Sequence, residues 1–108
     1  MNIINEPSAE GLEQLDAVLQ HRSRLGACVL LSTVDALSFS RLKALLGETD
    51  GNLGAQLRKL EEAQYVVCNK YFDGRTPKTE YRLTAAGRKA LERYLGHMES
   101  VIRAARGG

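Results

Sequence analysis

Two carboxamide side chains, four residues apart, are the groups in this sequence best suited to reading another molecule. Asn52 and Gln56 lie in "TDGNLGAQLRKLEE", where Leu53, Leu57 and Leu60 keep the spacing of one buried helix face. That spacing turns Asn52 outward and leaves Gln56 on the flank beside it. Each amide offers one donor and one acceptor side by side, so each can pair with a flat group such as an adenine edge.

Basic and hydroxyl side chains accompany these amides, and their chemistry suits phosphate. We predict nucleic-acid contacts, besides Asn52 and Gln56, from Arg41, Thr49, Arg58, Lys59, Lys70, Arg75, Lys78 and Thr79. Arg75 is the best single candidate for a minor-groove or phosphate contact. A solvated helix face and a solvated turn are the alternative interpretations of these charges. Arg22 and Arg24 either touch DNA or pair with carboxylates of the domain itself.

Catalytic and metal chemistry find no support in the sequence. No nucleophile, base and orienting group are grouped, and no phosphate-binding glycine loop follows a strand. Cys28 and Cys68, with His21 and His97, lack the close ligand pairs that structural zinc usually takes. We therefore predict two buried, reduced thiols, no metal, no cofactor and no enzyme activity.

Length and charge describe one domain, residues 1–108, with an uneven surface. The first 20 residues carry four acidic and no basic side chains, whereas the other 88 carry 15 basic and 9 acidic ones. This asymmetry indicates a basic working surface. No apolar run approaches the ~20 residues of a membrane span, and "MNIINEPSAEG" does not resemble a signal peptide. We expect no membrane partner and a cytoplasmic location.

The periodicity predicts a mainly α-helical domain with a small β-hairpin. Terminal helices are expected at about 8–20 and 85–105, and a largely buried helix at 22–34. Two short helices joined by a glycine-containing turn, at about 40–63, describe a helix-turn-helix. A β-hairpin with a basic tip follows at about 65–84. This order of elements is that of a winged helix-turn-helix.

The helix that begins near Asp50 contains two glycines, although an interior glycine costs a helix about 0.5–1 kcal/mol. We expect Gly51 to permit a tight turn or the close approach of a partner, and Gly54 to pack closely against the preceding helix. Leu45 is expected to face inward with its neighbouring leucines. The aromatic residues interpreted as packing rather than stacking groups are Tyr65, Tyr71, Phe72, Tyr81 and Tyr94.

The stretch "TDGNLGAQLRKLEEAQYV…DGRTPKTEYRLTAAGRKALERYL", with "HRSRL" upstream, resembles the small stand-alone winged-helix transcriptional regulators related to the MarR and ArsR groups. The resemblance covers roughly residues 12–98. It implies a homodimer that binds operator DNA, with the recognition helix, the second helix of the helix-turn-helix, in the major groove and the wing on the adjacent backbone or minor groove. Gly54, Ala55 and Gln56 depart from the usual small hydroxyl, basic and histidine residues. Gln64 stands where a helix-ending glycine is common.

The terminal helices are predicted to form the dimer, because their apolar stripe is longer than one small core needs. The predicted dimerisation residues are Leu12, Leu15, Leu19, Leu91, Leu95, Met98 and Ile102. A two-fold dimer favours an inverted-repeat operator. The alternatives are a winged-helix interaction module without specific DNA binding, and a thiol-responsive sensor that uses Cys28 or Cys68. The sequence leaves open whether a small-molecule effector exists.

Overall fold

A computed structural model describes residues 15–107 of the chain as a mainly α-helical, winged-helix domain. These residues form four α-helices and a three-stranded antiparallel sheet whose strand order is β1-β3-β2. The helices are α1 (Arg22–Leu31), α2 (Phe39–Leu46), α3 (Asp50–Glu62) and α4 (Ala85–Ala105). The strands are β1 (Leu37–Ser38), β2 (Val66–Asp73) and β3 (Thr76–Leu83).

Side-chain caps fix where the helices begin. At each N-terminus a side chain accepts a backbone N–H of the first turn, which satisfies a group that the helix itself leaves unpaired. The capping residues are His21, Ser38, Thr49 and Thr84. These caps explain why the predicted start of the last helix agrees with the structure.

The predicted helix at 8–20 does not extend to residue 20. Residues 8–14 lie outside the described part of the chain, and Ala17–Leu19 form a short 3-10 helix. The Asp16 carboxylate accepts the Val18 N–H at 2.9 Å, so a new helical turn starts there. Leu19, placed by this turn, is fully buried.

The predicted second helix ends three residues early, at Leu31. The hydroxyls of Ser32 and Thr33 donate to the carbonyls of Val29 and Leu30, at 2.6 and 2.7 Å. Such local hydrogen bonds offer the backbone an alternative to continuing the helix.

The helix-turn-helix formed by α2 and α3 agrees with the prediction. Gly47 ends α2 in the left-handed region, with φ of +64°, and the Glu48 N–H then donates to the Lys43 carbonyl. Leu42 and Leu46 are buried one turn apart. Leu45, expected to face inward, is 46% exposed because α2 packs on the core along one side only.

The wing is a hairpin of β2 and β3 joined by a tight turn in which Gly74 adopts φ of +66°. Cys68 lies opposite Tyr81, and Leu37 of β1 pairs with the other edge of Tyr81. The sequence did not predict β1, since two residues carry no readable alternation.

The core lies between the helices and the base of the wing. Its largest fully buried side chains come from the 3-10 helix, α1, α2, α3 and β2, and the first half of α4 closes it with Ala90, Leu91 and Tyr94. Gly87 makes this closure possible, because a Cβ there would stand 2.2 Å from the Tyr65 carbonyl oxygen. Over residues 15–107, the helices are too short or too polar to cross a membrane.

Candidate nucleic-acid interface

Helix α3 has one buried face and one uncovered face, as its periodicity predicts. Leu53, Leu57 and Leu60 are at most 1% exposed. The residues on the outer face are Gly51, Asn52, Arg58 and Lys59, all exposed, and Gln56 is half-buried on the flank. The polar end of α3 that follows the turn is therefore available to a partner.

The two carboxamides are held by neighbouring side chains. Asn52 Nδ2 donates to Glu48 Oε1 at 2.5 Å, and Arg24 Nη1 donates to Gln56 Oε1 at 2.5 Å. The amides themselves lie 3.5 Å apart, from Gln56 Nε2 to Asn52 Oδ1. The predicted reading groups thus form part of an ordered polar row along α3.

Glu48 was not predicted as a site residue, because a lone glutamate in a turn carries no pattern. Its Oε2 accepts from the buried Ser23 hydroxyl and lies 3.4 Å from Arg22 Nη1. These contacts, the Ser23 hydrogen bond first and that of Asn52 next, hold the pKa of Glu48 below its usual value. The carboxylate therefore stays ionised at neutral pH.

Arg22 and Arg24 both make contacts within the domain. Arg22 donates to the Leu46 carbonyl at 3.0 Å as well as approaching Glu48. Arg24 Nε donates to the Val18 carbonyl at 2.6 Å, and its Nη1 holds Gln56. Both arginines were expected either to touch DNA or to pair with carboxylates of the domain. Within the domain, Arg22 approaches a carboxylate, whereas Arg24 binds an amide and a backbone carbonyl.

The glycines of α3 differ from the expectation in part. A Cβ built at Gly51 or at Gly54 meets no atom of the described residues within 4 Å, apart from the adjoining chain and the helix's own backbone. Close packing against α2 is therefore wrong as the reason for Gly54. The two glycines share open space where a side chain would stand, but only Gly51 adjoins Asn52, because Gly54 lies on the opposite flank of the helix.

The wing carries its basic groups toward its free end. Arg75 lies in the turn, and Lys70 and Lys78 are exposed on β2 and β3. Thr79, half-buried, lies opposite Lys70, whereas Lys78 lies opposite Tyr71, so the two lysines occupy opposite faces of the hairpin. The wing is a basic finger with charge on both faces and at its tip.

Two aromatic residues of the wing, expected to pack in the core or along the hairpin, lie outside the core. Phe72 is 72% exposed and Tyr71 is 42% exposed, because β2 extends past the core at this point. Phe72 pairs with Pro77 across the hairpin, on the same face as Lys70. The wing therefore presents an apolar group among its charges, a feature that the sequence pattern did not reveal.

The remaining predicted contacts lie where a phosphate could reach them. Arg41 is exposed on α2. Thr49 is exposed, and its hydroxyl oxygen accepts the Asn52 N–H at 3.2 Å, so it caps α3. Nearby, Lys43 forms an ion pair with Asp50 at 2.9 Å across the turn.

The cysteines differ in their surroundings. Cys28 is fully buried, and burial raises the pKa of its thiol to about 12. Cys68 is only half-buried, so the expectation of burial is confirmed for Cys28 alone. Both are free thiols. Within residues 15–107 no three His, Cys, Asp or Glu side chains gather as metal ligands would.

The predicted dimerisation residues divide into two groups. Leu19 and Leu91 are 0% and 4% exposed, so they belong to the core of a single chain and cannot form a surface strip, contrary to the prediction. Leu12 lies outside the described residues. Leu95 and Ile102 are 43% and 42% exposed, and Leu15 and Met98 are partly buried against the core.

Comparison with known proteins agrees with this geometry. Residues 23–102 match the family described as winged helix DNA-binding domain. An uncharacterized protein of Methanocaldococcus jannaschii is 36% identical over 72 residues, which is 67% of this chain and 78% of that protein. The structure of a transcriptional regulator homologue from Pyrococcus horikoshii superimposes with a TM-score of 0.83 at 28% identity, over 89% of this chain and 97% of that one. A MarR-family regulator from Silicibacter pomeroyi shares the fold, with a TM-score of 0.64 at 23% identity over 93% and 66% of the two chains.

Proposed function

Since the chain belongs to the family of winged helix DNA-binding domains, we propose that it recognises a specific double-stranded DNA sequence as a homodimeric transcriptional regulator. The family and fold are those of MarR-like, DNA-binding regulators and not of enzymes. One observation carries the finer proposal. The uncovered face of α3 presents Asn52 next to the exposed Gly51, whose surroundings are open, so a DNA groove can approach the helix backbone there.

The proposed division of labour follows from side-chain chemistry. Asn52 and Gln56 are uncharged and read base edges in the major groove, whereas Lys59 and Arg58 contact the flanking phosphates. Arg41 and Thr49 contribute phosphate contacts at the helix-turn-helix. On the wing, Arg75 enters the minor groove or binds its backbone, supported by Lys70, Lys78 and Thr79. A DNA partner also agrees with the expected cytoplasmic location.

The dimer is proposed to form through the second half of α4. Leu95, Met98 and Ile102 recur at helical spacing beyond Tyr94, the last buried residue of α4 among those described. Half-buried Leu15 offers a neighbouring apolar group from the N-terminal side. An exposed apolar strip of this kind on a monomer would favour aggregation, and a second copy would cover it.

The first test separates base contacts from phosphate contacts. Asn52→Ala or Gln56→Ala should cost on the order of 1–3 kcal/mol on the selected site and leave the salt dependence nearly unchanged. Lys59→Ala or Arg75→Ala should weaken binding to specific and scrambled duplexes alike. Each should also flatten the slope of log K against log salt by roughly one unit per lost phosphate contact, or two per dimer.

The measurement is a fluorescence-anisotropy salt titration with a duplex obtained by site selection and its scrambled counterpart. Lys89→Ala, which removes an exposed cation of α4, is the matched control and should leave both slopes unchanged. If the Lys59 and Arg75 variants bind like the parent, the surface is misassigned. If the parent binds no duplex at moderate salt, the interaction-module alternative replaces this proposal.

The second test concerns the dimer. Light scattering at micromolar concentration should give twice the chain mass for the parent, and Leu95→Glu should give the mass of one chain, because it places a charge in the proposed interface. Val34→Glu alters an equally exposed apolar residue, 45% exposed, outside α4 and should leave the mass unchanged. A parent of monomer mass would contradict the dimer without bearing on the α3 surface.

A further inference from the structure

Each carboxamide on α3 is hydrogen-bonded to a charged group that can act only as a donor or only as an acceptor. Glu48 Oε1 lies 2.5 Å from Asn52 Nδ2, and Arg24 Nη1 lies 2.5 Å from Gln56 Oε1. An ionised carboxylate can only accept, and a guanidinium group can only donate. The amino end of Asn52 must therefore point to Glu48, and the carbonyl end of Gln56 must point to Arg24.

The two fixed partners are themselves anchored. The Ser23 hydroxyl, which is fully buried, donates to Glu48 Oε2, and Arg22 approaches the same oxygen. Oε1 of Glu48 is thus left for Asn52. Arg24 is tied by its Nε to the Val18 carbonyl, at 2.6 Å.

The polarity of an amide, meaning which way its NH₂ and carbonyl ends point, matters when the amide reads a base pair. Adenine presents an acceptor, N7, beside a donor, N6–H, on its major-groove edge. Inverting an A·T pair to T·A moves these groups to the other strand and reverses their order across the groove. An amide held in one orientation matches one of the two pairs, whereas an amide free to turn by 180° can match either.

We propose that Glu48 and Arg24 are positioning residues that fix the polarity of the Asn52 and Gln56 amides and so select the orientation of the A·T pairs that they read. This inference rests on the proposed DNA binding. Glu48 and Arg24 need not contact a base, and they affect specificity only through their hydrogen bonds to Asn52 and Gln56.

Glu48→Gln tests the inference with almost no change of shape. Arg22, which only donates, favours the carbonyl end of the new amide on its side, where Ser23 also lies. The amino end then faces Asn52, whose amide must turn around to accept from it. The orientation preference at the base pair read by Asn52 should be lost or reversed.

The experiment first selects a binding site with the parent protein and then locates the Asn52 position as the one where Asn52→Ala abolishes base preference. Two duplexes that differ only by inversion of that pair are compared for each variant. The parent should prefer one by on the order of tenfold, the discrimination of a good bidentate contact. Because the duplexes have equal length and charge, phosphate contributions cancel in the ratio.

Glu62→Gln is the matched control, since it makes the same chemical change at an exposed position of α3, the helix that carries Asn52. It should keep the parent's ratio. Arg24→Met should abolish the corresponding preference at the Gln56 position alone. A Glu48→Gln protein that retains the parent's ratio in size and direction would overturn the inference while leaving DNA recognition standing. Absence of any selected site for the folded parent would overturn both.

Discussion

The chain leaves helix α3 through Gln64, a residue in an unfavourable backbone conformation, and replacing that residue should stabilise the protein. Gln64 has φ of +65°, the left-handed region that glycine occupies without a Cβ penalty. The Gln64 N–H donates to the Glu61 carbonyl and the Tyr65 N–H to the Leu60 carbonyl, both at 2.9 Å. This pair of hydrogen bonds defines a Schellman cap, whose left-handed position is usually glycine.

The size of the effect follows from two opposing contributions. The left-handed region costs a residue with a Cβ about 1–2 kcal/mol. Glycine gives back about 0.4–1 kcal/mol through the greater freedom of its unfolded chain. Gln64 is exposed, so its side chain contributes little else. Gln64→Gly should therefore raise the free energy of unfolding by roughly 1 kcal/mol, or about 5 °C in Tm for a domain of this size.

Urea unfolding at one fixed protein concentration measures this change, with the m-value as the check that the transition is otherwise the same. Ala63→Gly is the matched control. Ala63 adopts φ of −77°, so glycine there should lower the free energy of unfolding by about 0.5–1 kcal/mol. Gln64→Ala keeps the Cβ and should change stability little. Equal destabilisation by glycine at both positions would refute the reasoning.

A glycine substitution and a thiol-labelling experiment test the packing of the core. Gly87→Ala should destabilise the domain by about 1–3 kcal/mol or more in thermal unfolding, since its Cβ would overlap the Tyr65 carbonyl; stability equal to the parent's would show that α4 packs differently. A thiol reagent at pH 8 should label Cys68 within minutes and Cys28 only on unfolding, because burial raises the pKa of Cys28 to about 12. Rapid labelling of Cys28→Ser but not of Cys68→Ser would agree with this assignment, and the reverse would contradict it.

The elements that the sequence predicted well are those that combine periodicity with a cap. Thr84 and the stripe through Leu91 and Tyr94 located α4 to its first and last residue. The helix-turn-helix was equally readable, because Gly47 and Thr49 separate two leucine-rich segments. Local chemistry is sufficient in such segments, and tertiary packing only confirms it.

Where prediction failed, features that the residue pattern does not show decided the outcome. Leu19 has the spacing of a helix stripe, yet the Asp16 carboxylate starts a new turn and is also the acceptor of the Tyr65 hydroxyl, 49 residues away. Burial and this hydrogen bond raise the pKa of Tyr65 to about 12. Phe72 lies in a segment with the composition of a core strand, but the hairpin extends past the core and leaves Phe72 exposed. Neither fact can be read from a window of neighbouring residues.

The candidate site shows the same limit at the level of chemistry. Asn52 and Gln56 were recognisable from residue type and helical spacing alone. Their partners, Glu48 and Arg24, come from the turn before α3 and from α1, and only the fold brings them to the amides. The sequence identified the groups proposed to read a base but not the groups that hydrogen-bond to them in the fold.

The weak helix propensity at the start of α3 is offset by the caps and by the buried face of the helix, and not by packing at the glycines themselves. Gly51 and Gly54 lack neighbours that would reward a larger side chain, so their cost is not recovered in the core. At one end Thr49 caps the first turn, and at the other the Schellman cap closes the last. Between the caps, three buried leucines hold the inner face. The helix is thus stabilised at its ends and on one side, and its outer face carries no side chain at Gly51, next to the proposed DNA-reading residue Asn52.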